Sequence, residues 1–210
     1  MATQHGYVEF LKLLIPEIDT SDLIPQYFGG GGTLVHEATK GGHAEIVEFL
    51  ITHTKLLPTE KDDTGVTPLA LAVKNGRAEI VKIIAKHLDE QDLVKITAKQ
   101  HPFWITPIHK EGSNLIQIAA AKGFYKVLEE LCQKVPNPNI PSSNGNTATH
   151  IAARKGHFEI VKLLTSYTSK SNTANDLGIT PAGIARSNGF HEIANYLDRM
   201  ARKRKFDELN

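Results

Sequence analysis

The stretch that decides the fold is GVTPLALAVKNGRAEIVKII, from Gly65 to Ile84. Thr67 is a good N-cap, because its hydroxyl can accept a hydrogen bond from an orphan amide of a first helical turn. Pro68 follows at the first helical position, where its missing N–H costs nothing and its φ is preset. Leu69, Leu71, Ala72 and Val73 then build a short helix whose small residues permit close packing. Asn75-Gly76 stops it, since both residues tolerate left-handed φ. A second helix is expected from near Ala78, with Ile80, Val81, Ile83 and Ile84 on a broad apolar face and Glu79 and Lys82 toward water. Asp62-Asp63-Thr64-Gly65, ahead of the pair, has turn composition, with Gly where φ is positive. One unit is therefore turn, short helix, longer helix.

The unit recurs along the chain. The first phrase returns as GGTLVHEATKG from Gly31, GSNLIQIAAAK from Gly112, GNTATHIAARK from Gly145 and GITPAGIARSN from Gly178. The second phrase, GRAEIVKII from Gly76, returns as GYVEFLKLL from Gly6, GHAEIVEFL from Gly42, GFYKVLEEL from Gly123, GHFEIVKLL from Gly156 and GFHEIANYL from Gly189. From Thr33 to Thr67 is 34 residues, from Thr67 to Asn114 is 47, and the steps on to Thr147 and Thr180 are 33 each. A 33-residue period with one insertion fits all of them. No single unit can bury its own apolar face, so neighbours must stack.

This frame resembles the ankyrin repeat, whose signature is a T-P-L-H-x-A phrase at that period. The resemblance implies an all-α solenoid of stacked helix-turn-helix units joined by hairpin-like turns. It departs from the pattern at Leu34, at Asn114 and at Gly183, which stand where the family has Pro, Thr and His. A repeat domain is expected over 1–198, with a half unit at 1–15 and units at about 29–58, 62–90, 109–136, 142–170 and 175–198. An insertion occupies about 91–108, its first part from Glu90 to Ala98 readable as continued helix, and 199–210 form a basic C-terminal tail. The half unit leads to the expectation that the chain is cut from a longer protein, or that residues 1–5 form a stunted cap.

The composition excludes several classes. Net charge is +1, so no global field recruits nucleic acid or membrane. Apolar runs fall short of the ~18 residues a membrane span needs, and the N-terminus lacks a signal-peptide layout. Cys132 is the only cysteine, which removes a disulfide framework and points to a reducing compartment, hence a cytoplasmic protein. Its place among helical apolar residues reads as a buried inert thiol.

Two constellations invite a ligand and do not hold one. His36 and His43 are seven apart, as are His150 and His157, whereas a zinc helix needs two imidazoles four apart. The same two columns carry Ala70 and Arg77, Gln117 and Phe124, and Gly183 and Phe190, which suits packing and hydrogen bonding better than ligation. The resemblance makes the first His a structural bridge between neighbouring turns. The glycines at 29–32 include the shared turn glycine Gly31, but no Lys follows where a phosphate loop needs one. No catalytic residue, metal or cofactor is assigned.

Binding to another protein is the expected work, through a concave face of turn tips and short helices. By analogy with ankyrin repeats, the two residues before each inter-helix glycine face that groove, which selects Lys40, Lys74, Lys122, Arg154 and Lys155. Asn144 joins them from a turn tip. Four successive units thus place a cation in one row, which suits an acidic segment of a partner, although the helix dipole also favours cations there. Phe103 and Trp104, in the insertion, offer either an interface anchor or a cover for the joint between the second and third units. Arg202-Lys203-Arg204-Lys205 reads as the solvated end of the last helix, with nuclear import or weak nucleic-acid contact as alternatives. Asn139 and Asn172 occupy a turn position where ankyrin repeats often have Asn, a site resembling substrates of asparaginyl hydroxylation, and are expected to shape the turn. A monomer without small-molecule substrate is expected. The alternative from another class is a substrate-docking region of a larger enzyme, or of a bacterial effector acting in a host's cytoplasm.

Overall fold

The computed structural model describes residues 32–54, 56–89, 93, 114–168 and 172–207. Residues 1–31, with the expected half unit and most of the glycine run, lie outside them. So do Phe103 and Trp104, and all of the insertion apart from Leu93, which is helical and buried. The described residues form ten helices in two compact units.

The first unit contains α1 (Leu34–Gly41), α2 (Ala44–His53), α3 (Pro68–Lys74) and α4 (Ala78–Ala85). The second contains α5 (Leu115–Lys122), α6 (Tyr125–Cys132), α7 (Ala148–Lys155), α8 (Phe158–Tyr167), α9 (Pro181–Ser187) and α10 (His191–Asp207). In each unit a short helix packs on the longer helix that follows it and on the short helix of the next repeat. This is the stacked helix-turn-helix architecture that the repeat implies, and no strand occurs among the described residues.

Local chemistry explains the starts and stops. The Thr67 hydroxyl accepts from Ala70 N–H at 3.2 Å, with Pro68 at the first helical position. Thr180 does the same for Gly183 N–H at 3.1 Å, ahead of Pro181. At the other end of α3 the helix stops at Asn75 and Gly76. Asn75 has φ −94° and is not left-handed; Gly76 alone is, at φ 69°. Asn75 caps the helix through both its groups, its backbone N–H donating to Leu71 C=O at 3.1 Å and its side-chain amide to the same oxygen at 2.9 Å. Ahead of the insertion, α4 stops at Ala85 and residues 86–88 turn, with His87 N–H donating to Ile84 C=O at 3.0 Å. Leu93 N–H donates to Asp89 C=O at 3.2 Å, and the rest of the expected helix from Glu90 to Ala98 lies outside the described residues.

Burial follows the repeat. Leu69, Ala72 and Val73 of α3 and Ile80, Val81, Ile83 and Ile84 of α4 are buried, while Glu79 and Lys82 are exposed. Leu128 and Leu131 of α6, Leu164 of α8 and Leu197 of α10 have no appreciable solvent contact. Each such side chain contributes about 1.5–3 kcal/mol on leaving water. Across the longer helices, Tyr196 meets Phe158 edge-on at 5.4 Å, and its hydroxyl bonds the Thr165 hydroxyl at 2.9 Å.

Candidate partner-binding surface

The turns that precede the short helices, here called fingers, are built alike. In the finger of 62–66, Asp62 N–H donates to Val66 C=O at 2.9 Å and Gly65 N–H to Asp62 C=O at 2.8 Å. Ser142 with Asn146 and Gly145, and Asn175 with Ile179 and Gly178, repeat both bonds at 2.9–3.0 Å. The first residue of each finger also folds its side chain inward. Asp62 Oδ1 accepts from the amides of Thr64 and Val66 at 2.9 Å, and Asn175 Oδ1 accepts from those of Leu177 and Ile179. Asp, Ser and Asn hold turns because they can bond their own backbone.

One column ties short helix to next finger. His36 Nδ1 accepts from its cap, Thr33 N–H, at 3.0 Å, and Nε2 bonds Val66 C=O at 2.9 Å. His150 repeats this with Thr147 N–H at 3.1 Å and Ile179 C=O at 3.1 Å. Gln117 performs both tasks with an amide. Its Oε1 accepts from Asn114 N–H at 3.2 Å, while Nε2 donates to Ile140 C=O at 3.1 Å and Asn146 C=O at 2.9 Å. The bridging role that the resemblance implies for the first His is thus what the geometry shows. These side chains are spent on the frame, and His43 and His157 sit apart from them at the caps of α2 and α8.

The cation row divides by unit. In the first, Lys40 is exposed but its Nζ lies 2.6 Å from Glu37 Oε1, on the same helix and nearly buried. Lys74 is half-buried. In the second, Lys122 and Lys155 are exposed and Arg154 half-buried. Lys122 stands 5.9 Å from the Phe124 ring, and among the described residues no carboxylate pairs with it, Arg154 or Lys155. The last repeat carries Ser187 and Asn188 there, and its Arg186 is turned to Asp198 at 2.6 Å. Asn144, at a finger tip, is exposed, and its Oδ1 accepts from the Ser142 hydroxyl at 2.8 Å and Asn146 N–H at 3.1 Å.

Two groups escaped the sequence reading. Glu37 was legible, since an acid three residues before Lys40 on a helix is its neighbour. Leu177, 80% exposed at the tip of the last finger, stands where the other fingers have Thr64 and Asn144, and that apolar exception was its signal.

Other candidates resolve into structure. Burial pushes the Cys132 thiol up to about 12, which keeps it protonated and unreactive. Asn139 Oδ1 accepts from both the amide and the hydroxyl of Thr149, and Asn172 Oδ1 from Ala182 N–H at 3.1 Å. Each pins the segment before a finger to the short helix after it. Among the described residues no group of three His, Cys, Asp or Glu could hold a metal, and no helix is long and apolar enough to cross a membrane. In the C-terminal region, α10 carries Arg199, Arg202 and Lys203 exposed on a helix that continues to Asp207.

A family model described as ankyrin repeats (3 copies) matches residues 1–97, 90–175 and 116–207. The chain belongs to the ankyrin-repeat family. Its ankyrin repeats are similar to a segment of alpha-latrotoxin from Latrodectus tredecimguttatus, 32% identical over 138 residues, which is 64% of this chain and 8% of the toxin. An ankyrin repeat-containing protein of Schizosaccharomyces pombe is 28% identical over 104 residues, 50% of this chain and 40% of that protein. The mitochondrial liver isoform of glutaminase from Mus musculus is 37% identical over 67 residues, 32% of this chain and 11% of the enzyme. The match thus spans less than a tenth of the toxin's length. Ankyrin repeats are in general protein-interaction modules, and the repeat itself is generally non-catalytic.

Proposed function

We propose that this ankyrin array is a protein-interaction module that binds an acidic segment of a partner, without chemistry on it, through the short-helix ends of its second compact unit. The observation that carries this is the cluster of Lys122, Arg154 and Lys155, which among the described residues has no carboxylate partner. Lys40, held by Glu37, contributes less, and Lys74 is a further member of the row. Rim charges of this kind steer encounter and select partners by sign, while buried anchors supply most of the affinity. Asn144 and the insertion's Phe103 and Trp104 are the remaining members of the proposed surface. The units at about 29–58, 62–90, 109–136, 142–170 and 175–198 are proposed as the repeats, and the working state as a cytoplasmic monomer.

Capture of partner proteins on the immobilised chain tests this. Charge reversal at Lys122, Arg154 and Lys155 should abolish retention of bound proteins. Reversal at Arg199, Arg202 and Lys203 should leave it intact, and the opposite result would move the function to the basic helix end. A second reading, a docking region inside a longer protein, is supported by the small share of the toxin and of glutaminase that the matched segments occupy.

A further inference from the structure

We propose that His36 and His150 make their finger contacts acid-labile while Gln117 keeps its own acid-resistant, so that acidification loosens chosen fingers of the array. Both imidazoles are fully buried, and each is held in one tautomer. Thr33 N–H and Thr147 N–H donate to Nδ1 of His36 and His150, so Nδ1 carries no proton. Nε2 carries it and donates to the carbonyl of Val66 or Ile179. A second proton must enter at Nδ1, opposite an amide that then loses its acceptor, and it brings a charge into a dry site. The strain falls on the residue that ties helix to finger. Gln117 makes the same two kinds of bond and has nothing to titrate.

The charged surroundings make the two histidines unequal. Helix α7 packs against α5, α8 and α9, which carry Lys122, the Glu159–Lys162 pair and Arg186 held by Asp198. The finger adds Asp176, and α7 itself Arg154 and Lys155. Burial pushes the His150 imidazole down to about 4; the Ile179 bond opposes this, and the Arg154 charge adds to it. The helices packed against α1 carry Glu45, Glu48 and His53 (α2) and Lys74 (α3), the finger carries Glu60, Lys61, Asp62 and Asp63, and α1 itself carries Glu37 and Lys40. Burial lowers its affinity for the proton, but the Val66 bond and the carboxylates of Asp62 and Glu60 raise it, with Lys40 opposing them. His36 is the milder case.

An unfolded His takes its proton near 6.5, so between pH 6.5 and about 4 the unfolded chain holds more protons than the folded one. Stability is complete above that window and falls as pH falls through it. At pH 5 His150 alone lowers the folded-to-unfolded ratio about 30-fold relative to pH 8.

The test is urea unfolding of the full chain at pH 7 and pH 5, for wild type, His150→Gln and His36→Gln, each variant compared with itself across pH. His150→Gln should remove an acid loss of about 20-fold between pH 7 and pH 5, and His36→Gln a smaller one. NMR of the wild-type ring should find His150 neutral down to pH 5, which stays informative if a variant is unstable. An acid loss undiminished in His150→Gln, or a folded-state titration of His150 near 6.5, would overturn the proposal.

Discussion

The two compact units end in the same way and are held together differently. In the first, His36 of α1 reaches the finger of 62–66, and the next short helix carries Ala70 in that column. In the second, Gln117 and then His150 reach successive fingers, and the last short helix carries Gly183. Each unit thus closes on a residue too small to reach another turn. The difference lies in what surrounds the bridges. The first unit sets Asp62 and Glu60 around its histidine and ties Lys40 to Glu37, whereas the second sets Arg154 beside its histidine and leaves Lys122 and Lys155 exposed. The repeat frame is common to both, and the electrostatics are not. A binding surface of one sign and an acid-sensitive finger then fall in the same unit.

The largest effect on this comparison should come from breaking a bridge outright. His150→Ala removes the donor to Ile179 and leaves buried Thr147 N–H without its acceptor, so chemical unfolding should report a loss of about 3 kcal/mol. A loss under about 0.5 kcal/mol would mean that the bridge contributes little and that Ala70 marks nothing. Next comes Gly156, at φ 75°, where an added Cβ would lie 2.5 Å from Phe190 Cε1. Gly156→Ala should cost about 1–3 kcal/mol by thermal melting, from the left-handed backbone and the displaced ring together. Smallest is Glu37→Gln, which releases Lys40 from its ion pair and should change stability by less than about 1 kcal/mol. It should also make the first unit's row resemble the second's, raising affinity for an acidic peptide about twofold in a fluorescence titration.

The frame was legible because its chemistry is local. Thr67 and Pro68 announce a helix start, and Asp62 with Gly65 announces a turn, wherever in the chain they stand. The column of His36, Ala70, Gln117, His150 and Gly183 could be read as frame from its substitutions. Which carbonyl each side chain meets needed the structure, since Gln117 and Ile140 are 23 residues apart and meet only through stacking. The cation row was legible as a list of residues and not as a surface. Lys40 looked equivalent to Lys122 until its partner on the preceding turn was counted. Asn75 and Gly76 were legible as a stop, while the division of labour, Asn75 capping with its side chain and Gly76 taking the positive φ, needed the structure.

The most direct test of the proposed function is fluorescence anisotropy with a labelled peptide rich in Asp and Glu, titrated with three forms of the chain. Relative to wild type, the triple reversal Lys122→Glu, Arg154→Glu and Lys155→Glu should weaken binding at least about tenfold, and Lys40→Glu by less than about twofold. Equal losses from both variants, or no loss from the triple reversal, would contradict a binding surface centred on the second unit.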